Sequence, residues 1–435
     1  MRLIHRTILI ILLFPLIVLS QNVNADLIQS KLKFKNQIDT ILSIDGKTFN
    51  KYVGTSGNVI VEENFSLKNS IFRDRFKFRR TKFKKGFDFS DNVYNDKFYM
   101  ATVKSYHPCS LHLSTFDTIM TLDSSVLIDF NLSNSYHKGL SYIRQDSIYN
   151  GNFEHSIFYK DVDFTLTKFS GITNFQNTEF KEKVIFLNNS FYDKIIFTNS
   201  SFNNELLLDD CSLPDSLFFD GIKNIKTPID FSYVNTEKTK NGYCNVILSG
   251  TDISKLKLSY SQFRLFFNET DRIETKKIIY ERLLAVQKDN GFVEGYKILD
   301  KEYKSYKNNT DHPTFGKFYD FLDSFWWDYG YDKNRIFIWS FLLYLIFVLI
   351  NTWLLYRKIL FEKVLDSKKL HKLLSKKSYP TIVISLFVTG YLFFGLKFEV
   401  ENLKYKNLTL TFYLFFIYIT GLICIAYMAN LIIKL

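Results

Sequence analysis

The chain has 435 residues, of which 46% are hydrophobic and 23% are charged, and this balance excludes a wholly disordered protein. Aromatic residues make up 17%, led by 45 Phe, while Gly (17) and Pro (6) are scarce, which excludes collagen-like and Pro/Gly-rich low-complexity chains. Four cysteines are too few for a disulfide scaffold of this length. The net charge of +12 suits anionic lipid, nucleic acid or simple solubility.

The N-terminus has the layout of an export signal. Met1 to Arg6 is basic, Thr7 to Ser20 is apolar, and small residues follow at Val23 and Ala25. This order predicts a signal peptide over 1–25 that is cut after Ala25, and the alternative is an uncleaved membrane anchor. In both cases the residues that follow are exported.

Large apolar residues recur through the middle of the chain, and after the second of them the spacing alternates between six and five residues. The intervening Asn, Ser, Thr, Asp, Gly, Val and Ile are poor helix formers, so the 11-residue period does not indicate a helix. Two large residues flanking one outward residue indicate short strands, and short strands joined by polar corners predict a β-solenoid. Its core ladder is Phe153, Phe158, Phe164, Phe169, Phe175, Phe180, Phe186, Phe191, Phe197, Phe202, Leu208, Leu213 and Phe219.

The same spacing extends on both sides of this ladder. It appears from Val61 to Tyr94 and, with steps of five, from Leu248 to Phe263. We therefore predict a solenoid over 61–266, preceded by an N-terminal cap over 26–60. Two stretches interrupt the pattern and are expected to be irregular, about 100–149 and 224–240. The residue two positions before a ladder residue is mostly branched and apolar where the step that ends at that ladder residue is six. It is small or polar where that step is five.

Segments such as Phe164-Thr-Leu-Thr-Lys-Phe169 and Phe175-Gln-Asn-Thr-Glu-Phe180 resemble the pentapeptide-repeat family in a Phe-rich form. The resemblance implies a mainly β fold, a right-handed β-helix with about four short sides per coil. Two 11-residue units per coil would give up to about nine coils, or ~45 Å of length. Some members of the family mimic DNA, but that role needs an acidic rod in the cytoplasm, and both export and the basic balance speak against it.

Helical spacing replaces the short period after Asn268. A helical hairpin is predicted over 267–310, with a break at Asn290-Gly291. Either it closes the open end of the solenoid or it docks a partner. A juxtamembrane segment over 311–335 follows, and its tryptophans suit a membrane interface.

The C-terminal domain, 336–435, carries long uncharged stretches. Those at 336–356 and 410–433 are long enough to cross ~30 Å of hydrocarbon, while 379–396 is predicted as a third span, with a re-entrant segment as the alternative. The basic stretch 357–378 is expected in the cytoplasm, which agrees with an exported N-terminal part.

The hairpin, a Gly-Tyr turn and a span also resemble the C-terminal part of pentapeptide-repeat proteins that carry a two-helix ion-channel-like domain. In the comparable stretch, Thr389 and Gly395 fall at filter-like positions. Bulky Phe393, Phe394 and Leu396 crowd the rest. The resemblance implies a channel-like scaffold with a degenerate pore, of which Thr389 and Gly395 would be the remnant.

No sequence motif indicates catalysis or the binding of a nucleotide. HExxH, GxSxG, P-loop and GxGxxG patterns are absent, and His107 and Cys109 beside Pro108 make a weak metal motif. We expect no catalytic residues, no metal and no cofactor. A basic cluster interleaved with phenylalanines is interpreted as solvated solenoid faces rather than a nucleic-acid site, with anionic lipid or envelope polymers as the next alternative: Arg73, Arg75, Lys77, Arg79, Arg80, Lys82, Lys84 and Lys85.

Two functions remain, from different classes. The first is a non-enzymatic, multi-pass protein of the bacterial inner membrane, whose extracytoplasmic solenoid is a binding or scaffold surface for a protein or an envelope polymer. The alternative is a channel-like membrane protein whose solenoid organises or gates a homo-oligomer.

Overall fold

The computed structural model describes residues 37–38, 42–55, 57–357, 380–395 and 408–433. The chain divides into two compact units, Met1–Asp300 and Lys301–Leu435. The predicted signal peptide, the first part of the predicted N-terminal cap and nearly all of the predicted basic loop lie outside the described residues.

Residues 43–265 form a parallel β-solenoid of about ten turns, which confirms the predicted fold class. Along most of its length the chain returns to the same place in the next coil after 22 positions, the separation of Ser70 from Asn92. The strand pairs Phe72 with Tyr94 and Phe158 with Phe180 follow this interval. Each coil therefore holds two of the predicted repeat units. Four stacks of short strands run along the solenoid, and we number these stacks faces 1 to 4 in the order in which the chain passes through them in one coil.

The strands of each face stack in parallel. Face 1 contains Gln37–Ile38, Val59–Val61, Thr81–Phe83 and Ser190–Phe191. Face 2 contains Leu42–Asp45, Phe65–Lys68, Phe87–Asp88, Lys194–Ile196, Ser216–Phe218, Cys244–Ile247 and Phe263–Leu265. Four longer strands bend from face 1 to face 2, namely Lys104–Ser110, Val126–Asn131, Ser147–Asn152 and Lys168–Asn174.

Faces 3 and 4 have eight strands each. Face 3 contains Thr48–Phe49, Ile71–Phe72, Val93–Tyr94, Thr115–Phe116, Tyr136–His137, Ile157–Phe158, Glu179–Phe180 and Ser201–Phe202. Face 4 contains Val53–Gly54, Phe76–Arg79, Phe98–Ala101, Met120–Asp123, Ser141–Arg144, Val162–Asp163, Val184–Ile185 and Leu206–Leu207. A further pair, Ile229–Asp230 and Leu256–Lys257, and the 3-10 helix Ile253–Lys255 belong to the last coils.

Corners of the coils use the left-handed backbone conformation. Non-glycine residues with positive φ recur every ten or eleven residues from Asn69 to Asp210, and two more, Asp129 and Asn150, lie midway between such corners. Asn and Asp dominate the later corners, where they adopt this conformation more readily than other residues. Two such corners per coil turn the chain without breaking the ladders.

All thirteen residues of the predicted core ladder are buried. Face 3 adds a continuous column of stacked rings, with neighbouring centroids between 4.3 and 5.3 Å apart. Its members are Phe49, Phe72, Tyr94, Phe116, His137, Phe158, Phe180 and Phe202. Such rings bury large apolar areas and gain from stacking, so the aromatic excess of this segment serves its core.

The small and polar residues two positions before the end of a five-residue step hydrogen-bond to the previous coil. Thr167 Oγ1 donates to the Ile143 carbonyl at 2.8 Å, and Thr178 Oγ1 donates to the Phe153 carbonyl at 2.9 Å. These side chains satisfy carbonyls at corners where the strand ladder cannot. The polar half of the sequence alternation is therefore a backbone requirement.

The coils continue through 100–149, where the sequence analysis expects an irregular stretch, so that expectation is wrong. The interior positions are held by Met100, Ser105, Leu111, Phe116, Leu122, Leu127, Leu132, His137, Ile143 and Ile148, all buried. Two repeat units here have ten residues instead of eleven, as the corners Ser124, Asn134, Gln145 and His155 show. Aliphatic and polar residues at core positions, together with these shorter units, hide the repeat.

The solenoid also begins before residue 61. Leu42–Asp45 pairs with Phe65–Lys68, so the end of the predicted 26–60 cap belongs to the first coil. The expected irregularity at 224–240 is real but lies late in that stretch. Ser212 pairs with Asn235, whereas Ser216, four positions later, pairs with Asn245, ten positions after Asn235. A loop of six extra residues therefore lies between Asn235 and Asn245.

Helices α1 (Ile273–Asp289) and α2 (Val293–Asp311) form the predicted hairpin. Gln287 of α1 is fully buried, accepts the Tyr260 N–H at 2.8 Å through Oε1 and donates to the Leu258 carbonyl at 2.8 Å through Nε2. The side-chain amide of Gln287 thus makes hydrogen bonds with the last coil that a further strand would otherwise make. A Cβ at Gly295 would lie 2.3 Å from Oε1 of Gln287, so α2 needs glycine there. Of the two predicted roles, the structure supports capping of the solenoid.

The second unit is helical. After the end of α2 come α3 (Gly316–Trp327), the 3-10 helix Asp328–Gly330, α4 (Lys333–Tyr356), α5 (Thr381–Phe393) and α6 (Leu408–Ile433). Within the described residues, α4 and α6 are long and apolar enough to cross a membrane. Helix α5 has 13 residues, or about 20 Å at ~1.5 Å per residue. Whether the predicted segment 379–396 spans or re-enters stays a prediction.

Candidate binding surface

Face 1 carries a row of exposed tyrosines, and the first of them, Tyr106, lies in a β-bulge because the strand pairing shifts between Ser105 and Pro108. Its inward residues Ser105, Leu127, Ile148, Phe169 and Phe191 occupy one position in five consecutive coils. The residues that directly follow them point outward and are Tyr106, Ile128, Tyr149, Ser170 and Tyr192. A tyrosine therefore stands in every second coil, and the exposed fractions are 49%, 51% and 46%.

The spacing of these rings follows from the coil. Tyr106, Tyr149 and Tyr192 are separated by two equal intervals in the sequence, each made of one coil of 22 positions and one of 21. Adjacent parallel strands lie ~4.8 Å apart, so successive tyrosines are ~9.6 Å apart and the row is ~19 Å long. A packed solenoid fixes this distance, because each tyrosine is next to a buried ladder residue.

Ammonium groups lie beside the ends of the row. Nζ of Lys82 is 5.5 Å from the ring centroid of Tyr106, and Nζ of Lys168 is 4.9 Å from that of Tyr192. Nζ of Lys238 approaches the Tyr192 ring at 5.9 Å. The tyrosine row is thus bordered by positive charge.

A shallow depression adjoins the Tyr106 end of the row. It has a volume of about 460 Å³ and contains three cationic side chains, those of Arg80, Lys82 and Lys104. The remaining lining residues are Asn58, Thr81 and Thr102. The chemistry of this lining favours an anionic group.

The outward positions of face 1 are basic overall. From Ile60 to Tyr192 they include one acidic residue, Glu62, whose carboxylate lies 2.8 Å from the ammonium of Lys84. The four lysines on these positions are Lys82, Lys84, Lys104 and Lys168. The positive potential of the face is therefore largely uncompensated by its own residues.

The basic cluster noted in the sequence does not form one patch. Phe76, Phe78 and Phe83 are buried within it, and its charges spread over several faces. Lys77 lies over the Tyr99 ring on face 4, Lys85 pairs with Glu63 at 2.6 Å, and Lys82 belongs to face 1. These positions agree with solvated solenoid faces.

The tyrosine row itself is missing from the sequence analysis. Tyr106 and Tyr149 fall inside the stretch that was expected to be irregular, so their shared position could not be recognised. The signal that would have identified it is the equal interval from Tyr106 to Tyr149 and from Tyr149 to Tyr192.

Helices α4, α5 and α6 pack around a shared polar centre. Nδ2 of Asn351 donates to Oγ1 of Thr389 at 2.8 Å, and the Tyr413 hydroxyl donates to Oδ1 of Asn351 at 3.1 Å. Asn351 and Thr389 are fully buried. This triad joins the three helices by side-chain hydrogen bonds.

The two residues proposed as a pore remnant have local roles in this unit. Thr389 is engaged by Asn351, as described above. Gly395 follows the end of α5 with φ of 69°, the left-handed conformation in which glycine commonly terminates helices. An added Cβ there would lie 3.5 Å from the Tyr418 ring. Neither observation tests ion conduction.

The described residues contain no group of three His, Cys, Asp or Glu side chains that could hold a metal. Cys109 is buried, and burial raises the pKa of its thiol well above the usual value, whereas the neighbouring His107 is exposed. Burial also raises the pKa of Cys211 to about 12. These thiols are protonated at neutral pH and poorly nucleophilic.

Comparison with known proteins finds no relative. No family model, no curated protein and no solved structure matches this chain.

Proposed function

We propose that this chain is a non-enzymatic, membrane-anchored binding protein of the pentapeptide-repeat type, in which face 1 of the solenoid contacts a partner in the bacterial cell envelope. The observation that carries the proposal is the row of exposed tyrosines on face 1, bordered by lysines. Tyrosine is enriched where proteins bind partners, and charged groups beside a binding surface contribute to specificity and to the association rate. A solenoid with a stacked core also holds such a row rigidly, which lowers the entropic cost of binding.

The anchoring part of the proposal rests on α4 and α6, which are long and apolar enough to span a membrane. The basic residues between 357 and 378 support a cytoplasmic location of that segment by the positive-inside rule. With α4 as the first span, the solenoid is then outside the cytoplasmic membrane. The partner would be met in the envelope, as an envelope polymer or a protein.

The location is tested with the full chain in a bacterial host. Protease added to spheroplasts should cleave the solenoid, whereas intact cells and inside-out vesicles should protect it. A solenoid that is cleaved only in inside-out vesicles would place face 1 in the cytoplasm and refute the proposal.

The binding role is tested by co-sedimentation of the detergent-solubilised chain with an insoluble envelope fraction. The triple variant Tyr106→Ser, Tyr149→Ser and Tyr192→Ser should lose retention. A matched triple variant, Tyr136→Ser, Tyr159→Ser and Tyr233→Ser, removes tyrosines that are 46%, 40% and 65% exposed at other places and should be retained like the wild type. Equal retention of both triple variants would rule out face 1 as the binding surface.

The channel-like alternative is tested on the same preparation. Reconstitution into liposomes followed by ion-flux measurement should give no flux above that of empty liposomes. A selective flux together with a defined oligomer would replace the binding proposal by the channel one.

A further inference from the structure

We infer that face 1 binds a linear anionic polysaccharide, with sugar rings stacked on Tyr106, Tyr149 and Tyr192. This inference rests on the proposed function, because it names the ligand class of the same surface. Three features of the face carry it, namely the repeat distance, the chemistry of the rings and the surrounding charge.

The repeat distance indicates a periodic ligand. Three tyrosines follow the same inward position in alternate coils, the first of them in a β-bulge, and a different residue, Ile128 or Ser170, occurs in each coil between them. The resulting ~9.6 Å period along a straight axis matches a straight polymer better than a compact ligand. It is close to the length of one extended disaccharide unit, so a β-linked glycan would present the same sugar to each tyrosine.

The ring chemistry favours a sugar. One side of a pyranose ring presents mainly C–H groups, and its edge presents hydroxyls. A half-exposed tyrosine offers a flat apolar surface for the first and a phenol hydroxyl for the second. The three tyrosines do not contact one another, because a whole coil separates each from the next. Each ring can therefore stack on its own sugar.

The charge favours an acidic sugar. Lys82 lies beside Tyr106 and Lys168 lies beside Tyr192, and Lys104 adds a third cation at the depression next to Tyr106. A uronate stacked on either terminal tyrosine would bring its carboxylate to an ammonium group. A neutral glycan would use the rings but leave these cations without a ligand.

The experiment uses the full chain in nanodiscs and isothermal titration calorimetry. The probes are hyaluronan oligosaccharides of increasing length, chitin oligosaccharides of the same lengths and polyphosphate. We expect hyaluronan to bind best, its affinity to rise with length until the oligosaccharide covers all three tyrosines and then to level off, and added salt to weaken it. Chitin oligosaccharides should bind more weakly, and polyphosphate should show no length threshold.

Substitutions separate the rings from the charge. Tyr149→Ala should weaken hyaluronan binding by about tenfold, as expected for a central aromatic contact, while Tyr136→Ala on face 3 should leave it unchanged. Lys168→Ala should weaken hyaluronan and leave chitin binding unchanged. A Tyr149→Ala variant that binds like the wild type would overturn the inference.

The other outcomes distinguish this inference from the proposed function. If polyphosphate binds as tightly as hyaluronan, face 1 recognises charge alone and the sugar assignment falls. If no glycan binds but the face 1 triple variant still loses retention on the envelope fraction, the polysaccharide is refuted and the binding surface stands. If retention is also unaffected, both fall.

A second, independent observation concerns α3. Its residues Phe318, Phe321, Leu322 and Phe325 follow helical spacing and are exposed. The carboxylates lie on another side, where Asp323 accepts hydrogen bonds from Nδ2 of Asn308 at 2.9 Å and from Nε1 of Trp327 at 3.0 Å. The helix is therefore amphipathic, with an aromatic stripe of which Phe318, Phe321 and Leu322 stay exposed within the described residues of this unit.

We also propose that α3 lies in the plane of the membrane interface, with this stripe in lipid. The C-terminal end of α3 is fixed to the membrane-spanning helices, because Phe325 stacks on Trp339 of α4 at 4.2 Å and Trp327 contacts Tyr427 of α6 at 5.5 Å. A short amphipathic helix joined to a span through five intervening residues is held at the depth where aromatic residues partition.

Photo-cross-linking in the full chain tests this orientation. A benzophenone amino acid at Phe318 or Phe321 in nanodiscs should give lipid adducts, and the same group at Asp320 or Ser324 should not. Adducts from Phe318 to protein instead of lipid, or equal lipid adducts from all four positions, would overturn the proposal.

Discussion

The two units of this protein arrange similar residues in opposite ways. In the solenoid, phenylalanines fill the interior, and polar side chains cover the outside or satisfy backbone carbonyls at the corners. Among α4, α5 and α6, large apolar residues such as Phe341, Leu349 and Trp353 are exposed. The fully buried polar residues Asn351 and Thr389 lie between the helices.

This contrast reflects different sources of stability in the two units. In water, removing apolar surface from solvent is the main favourable term, so the solenoid gains most from its largest rings. If α4 and α6 span a membrane, as proposed, that term is absent between the helices, and close packing and hydrogen bonds stabilise the helical unit instead. Gly421 illustrates this packing, because a Cβ there would lie 1.8 Å from the Phe393 carbonyl oxygen.

The largest loss of stability is expected from a substitution that removes one ring from the solenoid core. Phe175→Ala should destabilise the solenoid by about 4 kcal/mol, because the cavity lies between the stacked rings of Phe153 and Phe197. The melting midpoint of the β signal in circular dichroism should fall by roughly 10 °C. Phe412→Ala is the matched change in α6, where the ring is 64% exposed, and it should change stability little. Equal effects of the two substitutions would contradict the contrast between the units.

The next largest loss of stability is expected from a substitution that removes the hydrogen bonds capping the last coil. Gln287→Ala leaves the Tyr260 N–H and the Leu258 carbonyl without their partner, at about 1–3 kcal/mol for each buried group. The last coil should then fray, which hydrogen exchange would detect as faster exchange at residues 256–265. Asn290→Ala, which removes a side-chain bond to the Val286 carbonyl at the end of α1, serves as control. Unchanged exchange in the Gln287 variant would show that the helices, and not this amide, protect the coil.

A pH-dependent effect comes from the ring column of face 3. Burial lowers the pKa of His137 to about 3, so the folded protein keeps this ring neutral while the unfolded chain protonates it below its ordinary pKa of ~6.5. Stability should therefore fall as pH decreases from about 6.5 towards 3, by about 2 kcal/mol at pH 5. His137→Phe should lose this dependence.

The measurement is the difference in melting midpoint between wild type and His137→Phe at pH 7.5 and pH 5. The two proteins should be similar at the higher pH, because Phe continues the stack while Ser135 and Ser141 lose a hydrogen-bond partner. The variant should be the more stable one at pH 5. A difference that does not depend on pH would mean that His137 is not titrated on unfolding.

The smallest effect is expected at the polar centre shared by α4, α5 and α6. Asn351→Leu removes the partner of Thr389 and of the Tyr413 hydroxyl and should destabilise the helical unit by about 1 kcal/mol, the scale of hydrogen bonds between membrane helices. Unfolding in mixed micelles, followed by the helical signal, measures it. Thr420→Val, whose hydroxyl bonds only within its own helix, should change nothing. A loss of several kcal/mol would indicate that polar contacts dominate this unit.

Much of the solenoid could be predicted from the sequence, because a phenylalanine at every fifth or sixth residue leaves few alternatives. The prediction failed between Met100 and Ile148, where Ser105 and His137 occupy interior positions. A polar residue is acceptable there because the fold supplies partners. Ser105 donates to the His107 carbonyl at 2.9 Å, and His137 is held between Ser135 and Ser141. Those partners are not visible in the sequence.

The candidate site was less predictable than the fold. In the sequence, the basic cluster from Arg73 to Lys85 is the most conspicuous candidate surface. The coil geometry, however, distributes those charges over separate faces. The pattern of large apolar residues gave no sign that Tyr106, Tyr149 and Tyr192 share one line, because their alignment depends on coils of two slightly different lengths.

The repeat, its Phe-filled interior, the helical hairpin and the apolar helices could all be predicted, since each follows from local spacing and hydrophobicity. Three features became visible only in the folded chain: which residues of successive coils align, that Gln287 closes the last coil, and that Asn351 contacts Thr389 and Tyr413. These contacts join residues 27 to 62 positions apart. Their formation depends on the register between coils and the packing of helices, and neither is encoded by the residues' immediate neighbours.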